Sequence, residues 1–279
     1  MRISVYLFGV IILSYVSCKN DAVSPVSFKR PNKSYNLAIE GCLNSMNSTQ
    51  YIKLTKPGTL PNGSVEPING AIVSINDGNN EVFLHETSSP GVYSGNIFDN
   101  SNYGHLYALK VHFNNKDYIA IDTLRKLPVS NDALPLTASF LSDSSVVLNI
   151  PKHIFGASRP VRWLVTYKGV ELWRPSGFNT EFQYTYSDQF GPPNALYSLT
   201  QGIRSVVLNP NDTVTIFKFS ISQSYETFLY NLFQETDFKS IFSTEPGIVY
   251  GNVSSNGQGC FYCTDVVEYK YLAKYLVNK

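Results

Sequence analysis

Short alternating segments separated by turn residues are the feature that most constrains the fold of this chain. The clearest case has an apolar-polar segment at residues 71–75 and another at 81–85. The turn residues 76–80 lie between them and contain Asp77-Gly78. Asp-Gly between alternating apolar segments is a strong β-hairpin signal. The pattern therefore predicts antiparallel sheet.

Segments of this kind continue along both halves of the chain. In the first half they form about seven strands, at a spacing typical of an immunoglobulin-like or transthyretin-like sandwich. Residues 127–132 are interpreted as a joint between two domains. The predicted strands are residues 35–43, 51–55, 71–75, 81–85, 91–93, 106–113 and 118–122, followed by 136–140, 145–150, 162–167, 170–173, 181–186, 205–208 and 213–221.

Residues 222–237 do not follow the strand pattern. Ser222 is a candidate helix cap, and apolar residues follow it at helical spacing. The predicted fold class is therefore mainly β, with two β-sandwich domains and one amphipathic helix in the second. The residues of the apolar helix face are Tyr225, Phe228, Leu229, Leu232 and Phe233.

The N-terminal segment predicts export. Residues 3–16 form an apolar stretch of about 14 residues, and a span of the bilayer needs about 20. Residues 1–17 are therefore interpreted as a lipoprotein signal peptide. Val16-Ser17-Cys18 is similar to a bacterial lipobox, which implies that Cys18 is lipidated and becomes the first mature residue. The alternative is an ordinary cleaved signal with an incidental cysteine.

The residues that follow Cys18 predict where the mature chain lies. Acyl chains on that cysteine would hold it on a membrane without a spanning helix. Lys19-Asn20-Asp21 resembles the signal that sends Bacteroidetes lipoproteins to the outer face of the outer membrane, so the expected location is the outer membrane, facing the cell exterior. The predicted divisions of the mature chain are a flexible tether at 18–33, an N-terminal β-sandwich at 34–128 and a C-terminal β-rich domain with the helix at 129–279.

Charge and motifs argue against several classes of function. With 22 basic and 21 acidic residues, the chain has no electrostatic footprint for nucleic acid. His-Glu-x-x-His, Gly-x-Ser-x-Gly and glycine-rich phosphate loops are all absent from the sequence. We therefore predict no catalytic residue, no metal, no cofactor and no enzymatic activity. A hydrolase with a carboxylate pair stays an open alternative, because fold and not spacing sets such pairs.

Aromatic residues of the second half are the candidate ligand-binding residues. Trp163 and Trp173 flank the turn at Lys168-Gly169. Tyr184 and Tyr186 lie on the next predicted strand and share a face by alternation. Aromatic faces are common in binding surfaces, and the alternative for each residue is packing in the core.

Three cysteines remain once Cys18 is lipidated. Cys260 and Cys263 are the candidate pair for a local disulfide, which an oxidising compartment permits. A long-range bridge from Cys42 to one of them is the second alternative, and three free thiols are the third. A redox or zinc site is disfavoured, because the pair lacks an α/β setting and a second pair of ligands.

Several short motifs follow one another along the chain in a characteristic order. They are Ile39-Glu-Gly41, residues 71–78, Gly91-Val-Tyr93, residues 118–123, the helix through Tyr225, Pro246, Gly251-Asn-Val253 and Gly259-Cys-Phe261. Together with the lipid signal, this order resembles the Bacteroidetes lipoprotein family catalogued as domain of unknown function 4249 (DUF4249). The resemblance covers essentially the whole mature chain. It implies an accessory lipoprotein that works beside a TonB-dependent outer-membrane transporter, and it carries over no catalytic residue.

The sequence therefore predicts a lipid-anchored surface lipoprotein that acts as a non-catalytic binding or accessory module in TonB-dependent nutrient uptake. Its expected partners are the membrane, through the N-terminal lipid, and such a transporter. The alternative is a structural or adhesive surface protein that is built from the same β-sandwich modules.

Replacing Cys18 tests the anchor. Cys18→Ser should release a soluble or unprocessed form from the membrane fraction, because the acyl chains have no other attachment point. Fractionation and immunoblotting of cells that produce each form measure this. A variant that is cleaved normally and stays with the membrane would contradict the predicted anchor.

Overall fold

Strand pairing organises the part of the chain that the structure describes. The structure is a computed structural model that describes residues 35–57, 65–127, 133–167, 183–187, 202–236 and 249–277. The predicted signal peptide, Cys18, the tether, Trp173 and the predicted strand 170–173 lie outside the described residues.

The strands, in chain order, are β1 (Leu37–Asn44), β2 (Thr49–Thr55), β3 (Ile72–Asn76), β4 (Glu81–Glu86), β5 (Val92–Asn96), β6 (Leu106–Phe113), β7 (Lys116–Thr123), β8 (Thr137–Ser142), β9 (Ser145–Pro151), β10 (His153–Ile154), β11 (Val161–Thr166), β12 (Gln183–Ser187), β13 (Ile203–Leu208), β14 (Thr213–Ser220), β15 (Gly257–Thr264) and β16 (Val266–Leu272). Helix α1 (Gln223–Glu235) lies between β14 and β15, and the 3-10 helix Ala273–Leu276 follows β16.

Local turn chemistry accounts for the hairpins of the first half. Between β3 and β4, the Asp77 carboxylate accepts hydrogen bonds from the backbone N–H groups of Asn79 and Asn80, at 2.8 and 2.6 Å. Between β6 and β7, Asn114 and Asn115 have φ values of 51° and 57°. Two left-handed residues match the twist of the flanking strands, so this turn fixes the register of the hairpin.

Eight strands form one sheet that packs around the first core. Their order is β15-β1-β2-β5-β4-β3-β6-β7. The two edge strands of this sheet, β15 and β7, come close to each other. Ala120 of β7 forms an isolated β-bridge with Val253, which precedes β15 in the chain. The core between the facing parts includes the fully buried Leu37, Ile52, Leu54, Tyr107, Leu109 and Phe261.

A second sandwich encloses a separate core. A five-stranded sheet has the order β10-β12-β11-β14-β16, and a three-stranded sheet has the order β13-β9-β8. Alternate residues of β9 face the larger sheet and are buried. The predicted fold class is confirmed: the described chain is mainly β, with two β-sandwiches and one helix. The second core includes Val146, Leu148, Ile150, Val161, Trp163, Val165, Val214 and Ile216.

Strand β15 corrects the predicted domain boundary. It belongs to the C-terminal half of the sequence, yet it pairs in parallel with β1, from Leu37 opposite Gly257 to Asn44 opposite Thr264. The contiguous division at residues 128 and 129 is therefore wrong for β15, and residues 35–279 form one compact unit. Strand β15 is not evident from the sequence, because both of its faces are largely buried and the period-two pattern is therefore absent.

Only one residue separates β15 from β16, and that residue, Asp265, holds the junction of the two sandwiches. Its buried carboxylate accepts hydrogen bonds from the Ser45 hydroxyl at 2.7 Å and the Tyr103 hydroxyl at 3.1 Å. It also accepts one from the Leu127 backbone N–H at 2.8 Å. The Asp265 N–H in turn donates to the Ser220 hydroxyl of β14 at 2.8 Å.

Helix α1 confirms the predicted helix. The Ser222 hydroxyl accepts a hydrogen bond from the Tyr225 N–H at 3.2 Å and caps the first turn. The buried residues Tyr225, Leu229 and Phe233 lie on one face, which packs against Cys260 of β15 and Tyr186 of β12. Within the described ranges, no helix has the length and apolar character needed to cross a membrane.

The cysteines correct the predicted disulfide. Cys260 and Cys263 are three residues apart in β15, so their side chains lie on opposite faces of the strand. Cys263 packs in the first core, whereas Cys260 packs against helix α1. Both are free thiols, and so is Cys42, which is the third alternative that the sequence left open.

Thiol reactivity tests this arrangement. Burial, with a smaller effect of the Asp122 charge, raises the pKa of the Cys260 thiol to about 12. At pH 8 the fraction of Cys260 present as thiolate is then roughly a thousandfold smaller than for an exposed cysteine. Because the thiolate is the reactive form, alkylation of Cys260 by iodoacetamide should be slower by a similar factor. Mass spectrometry of tryptic peptides measures the rate.

The same experiment in denaturant without reductant provides the control. In the Cys18→Ser chain, all three remaining cysteines should then react fully. Recovery of a cross-linked peptide that contains Cys260 and Cys263, with a single reactive thiol per chain, would overturn the arrangement.

Candidate functional site

A cavity of about 420 Å³ lies where both sandwiches meet helix α1. This volume falls in the range of about 300–1,000 Å³ that is usual for small-molecule sites. Three strands of the first sheet, two of the second and one face of the helix form its wall. The described lining residues are Ile39, Glu40, Gly41, Cys42, Tyr51, Gly259, Cys260 and Tyr262 from β1, β2 and β15, then Arg162, Tyr184 and Tyr186 from β11 and β12, then Tyr225, Phe228, Leu229 and Leu232 from α1.

The parallel pairing of β1 and β15 creates one side of the cavity. Glu40 lies opposite Cys260, and Cys42 lies opposite Tyr262. Side chains alternate along a strand, so these residues face the cavity while Leu37, Ile39 and Leu43 face the first core. Gly259 permits the close approach of the strands: it has a φ of 95°, and an added Cβ would lie 2.0 Å from the carbonyl oxygen of Ile39.

Arg162 of β11 is the central charge of the cavity. It is only 6% exposed. One Nη atom donates to the Tyr225 hydroxyl at 2.9 Å, and the other donates to the Tyr262 hydroxyl at 3.1 Å. Nε is buried without a hydrogen-bond partner. No carboxylate of the described residues forms an ion pair with this guanidinium.

Aromatic rings surround the Arg162 guanidinium. Its Cζ lies 4.6 Å from the ring centroid of Phe219, 5.0 Å from Tyr184, 5.2 Å from Tyr262 and 5.7 Å from Tyr225. Each such contact stabilises a buried cation by about 0.5–2 kcal/mol. The rings therefore replace part of the hydration that the arginine loses on burial.

The tyrosines contribute hydroxyls without contributing charge. The rings of Tyr225 and Tyr262 stack in parallel, with centroids 3.8 Å apart. Burial raises the pKa of both hydroxyls, against an opposing effect of the Arg162 charge. Burial likewise raises the pKa of Tyr184 to about 12. All three phenols thus stay protonated near neutral pH, and Arg162 keeps its full positive charge.

Two thiols and one acid are further polar groups of the wall. Burial raises the pKa of both Cys42 and Cys260, so each thiol is neutral. Glu40 is exposed, and its carboxylate lies 3.5 Å from the Nζ of Lys53. Two thiols are fewer ligands than a structural metal site needs, and the described residues contain no group of three metal-ligating side chains. The arrangement suits recognition of a ligand better than proton transfer.

Only some of the aromatic residues with a predicted ligand role lie at the cavity. Trp163 is 3% exposed and packs in the second core, with the Nζ of Lys218 5.1 Å above its ring. The ligand role predicted for Trp163 is therefore wrong, because alternation along β11 turns it away from the cavity. Tyr184 and Tyr186 share one face, as predicted, and both line the cavity.

Arg162 is the residue that the sequence reasoning missed. The described part of β11 reads Val-Arg-Trp-Leu-Val-Thr, and every residue of it is buried. A single charged residue in an otherwise apolar strand was the available signal. Such a residue is either paired inside the protein or placed beside a cavity.

Comparisons with known proteins add little to this description. No protein-family model matches the chain, and no curated protein matches it. The solved structure of the FN1–FN3 domains of chicken CNTN1 is similar over 66% of this chain, with 17% sequence identity and a TM-score of 0.23. The similarity spans 59% of the length of that structure. The resemblance to DUF4249 stays a prediction.

Proposed function

We propose that this chain is a lipid-anchored, non-catalytic module that binds a small molecule in the cavity around Arg162. The observation that carries the proposal is the cavity itself, which combines an aromatic and aliphatic wall with one buried cation. Pockets with a mainly apolar lining and a few convergent polar groups are the usual form of ligand sites.

The surroundings of the cavity support binding rather than catalysis. Three of the described lining phenols, Tyr184, Tyr225 and Tyr262, and both described lining thiols have raised pKa values and hold their protons near pH 7. A general base needs a pKa near the working pH. Glu40 is the one acid among the described lining residues, and the Nζ of Lys53 lies 3.5 Å from its carboxylate.

The proposal also includes the partner that the sequence analysis predicted. Anchored to the outer membrane through Cys18, the chain would hold its ligand beside a TonB-dependent transporter. The lipid signal and the resemblance to DUF4249 support this part, and the cavity supports the binding role.

Filling the cavity tests the binding role. Leu232 lies on the cavity face of α1, so Leu232→Trp should occupy part of the space. We expect binding of the neutral dye Nile red, measured by fluorescence titration, to weaken by about tenfold or more, or about 1.4 kcal/mol.

The matched control for that variant is Thr227→Trp, which adds the same ring to an exposed position of the same helix. It should bind the dye like the natural protein. Absence of dye binding by the natural protein, or equal binding by all three forms, would contradict a ligand site in this cavity.

Co-purification tests the partner. An affinity-tagged chain from detergent-solubilised outer membranes should recover a TonB-dependent transporter, identified by mass spectrometry. The Cys18→Ser chain is the control, because it should lose the membrane that both proteins share. Repeated failure to recover a transporter, together with loss of cell adhesion on deletion of the gene, would favour the structural or adhesive alternative.

A further inference from the structure

The positive charge of Arg162 has no counter-ion among the described residues. Buried arginines are normally paired with a carboxylate, because an unpaired buried charge costs several kcal/mol. Here the polar contacts are two neutral hydroxyls, Tyr225 and Tyr262. The guanidinium is nevertheless one wall of a cavity that is open enough to admit a small molecule.

The Arg162 side chain also has unused hydrogen-bond donors. A guanidinium carries five N–H groups. The two tyrosine hydroxyls use one N–H on each Nη atom, and the N–H of Nε has no partner. A carboxylate matches the planar fork of an arginine and accepts two N–H bonds at once. Tyr225 and Tyr262 also hydrogen-bond to each other, and a phenolic hydroxyl that turns towards a bound anion can donate its proton to it.

The opposite part of the cavity is apolar. Phe228, Leu229 and Leu232 line this part from helix α1. The rest of a ligand that binds Arg162 therefore contacts apolar side chains. The one other charged residue of the described wall is Glu40, which is exposed and forms a salt bridge with Lys53.

We propose that the ligand of this cavity is an amphipathic carboxylate, whose carboxylate group binds Arg162 and the two tyrosine hydroxyls and whose apolar body packs on helix α1. This inference rests on the proposed binding function and names the chemical class of its ligand. A neutral molecule with the same body leaves the arginine without a counter-ion and binds less tightly.

A matched pair of small molecules tests the inference on the natural protein. 3-Phenylpropionate and 3-phenylpropanol share one body and differ in charge. We expect the acid to displace Nile red at a concentration at least about tenfold lower than the alcohol at low salt, as charge-assisted hydrogen bonds predict. Displacement at equal concentrations would overturn the inference while leaving the binding function intact. Failure of Nile red to bind at all would instead overturn the binding function.

Substitutions locate the effect. Arg162→Gln should abolish the preference for the acid, so that the acid and the alcohol displace Nile red at similar concentrations. Arg162→Lys should retain part of the preference, because lysine keeps the positive charge but cannot donate two parallel N–H bonds to a carboxylate. Lys274→Gln removes a half-buried cation that is not among the lining residues, and it is the matched control. Persistence of the full preference in a folded Arg162→Gln chain would overturn the inference.

A variant at the exposed end of the cavity keeps the test independent of the buried arginine. Glu40→Gln removes the one acid of the described wall from an exposed position. Binding of 3-phenylpropionate should become about two- to fivefold tighter at low salt, and binding of the alcohol should not change. An unchanged affinity for 3-phenylpropionate at low salt would contradict the binding of its carboxylate group in a cavity that Glu40 lines.

Discussion

The path of the C-terminal segment is the constraint on which the rest of the structure depends. Strand β15 pairs with β1 in the first sheet, and β16 pairs with β14 in the second. Asp265 alone separates these strands, and its carboxylate accepts hydrogen bonds from residues of both the first half and the joint. Two sheets that share so short a connection are held at a fixed distance, so their facing side chains can define a cavity of fixed shape.

The placement of Arg162 follows from that constraint. Strand β11 turns Val161, Trp163 and Val165 into the second core and turns Arg162 towards β15. The hydroxyl of Tyr262 reaches the guanidinium from the first sandwich, and that of Tyr225 reaches it from the helix. The arginine is thus stabilised by groups from three elements that only the complete fold brings together.

The energetics of this cluster differ from those of a buried ion pair. Several cation–π contacts of about 0.5–2 kcal/mol each offset part of the desolvation of the guanidinium. They do so with polarisable rings that cannot titrate near neutral pH, as the raised pKa values of the tyrosines indicate. The cluster therefore holds a permanent positive potential in a largely apolar wall. A carboxylate of the protein would have cancelled that potential.

Much of the fold could be predicted from the sequence because its signals are local. The Asp77-Gly78 and Asn114-Asn115 turns specify hairpins, and Ser222 with the apolar spacing behind it specifies α1. The parallel pairing of β15 could not be predicted, because its partner lies far away in the sequence and both of its faces are largely buried. The same strand explains the incorrect disulfide, since Cys260 and Cys263 belong to two different cores.

The candidate site could be predicted only in part, for a related reason. Alternation along β12 was enough to place Tyr184 and Tyr186 on a common face. Alternation along β11 does not reveal which face is the core, because both faces are buried. Residue type alone therefore predicts a ligand role for Trp163, and the sequence pattern does not distinguish Arg162.

The pairing of the first and the last parts of the sheet has a consequence for the order of folding. Ser45 and Asp265, which meet at the junction, are separated by 220 residues. Ribosomes add about 5–20 residues per second, so β1 exists for on the order of tens of seconds before its parallel neighbour is made. During that time one edge of β1 has no native partner, and unpaired edges attract strands of other chains. The N-terminal sandwich is thus the first part to be synthesised and among the last to be completed, which makes folding slow and dependent on protection of that edge.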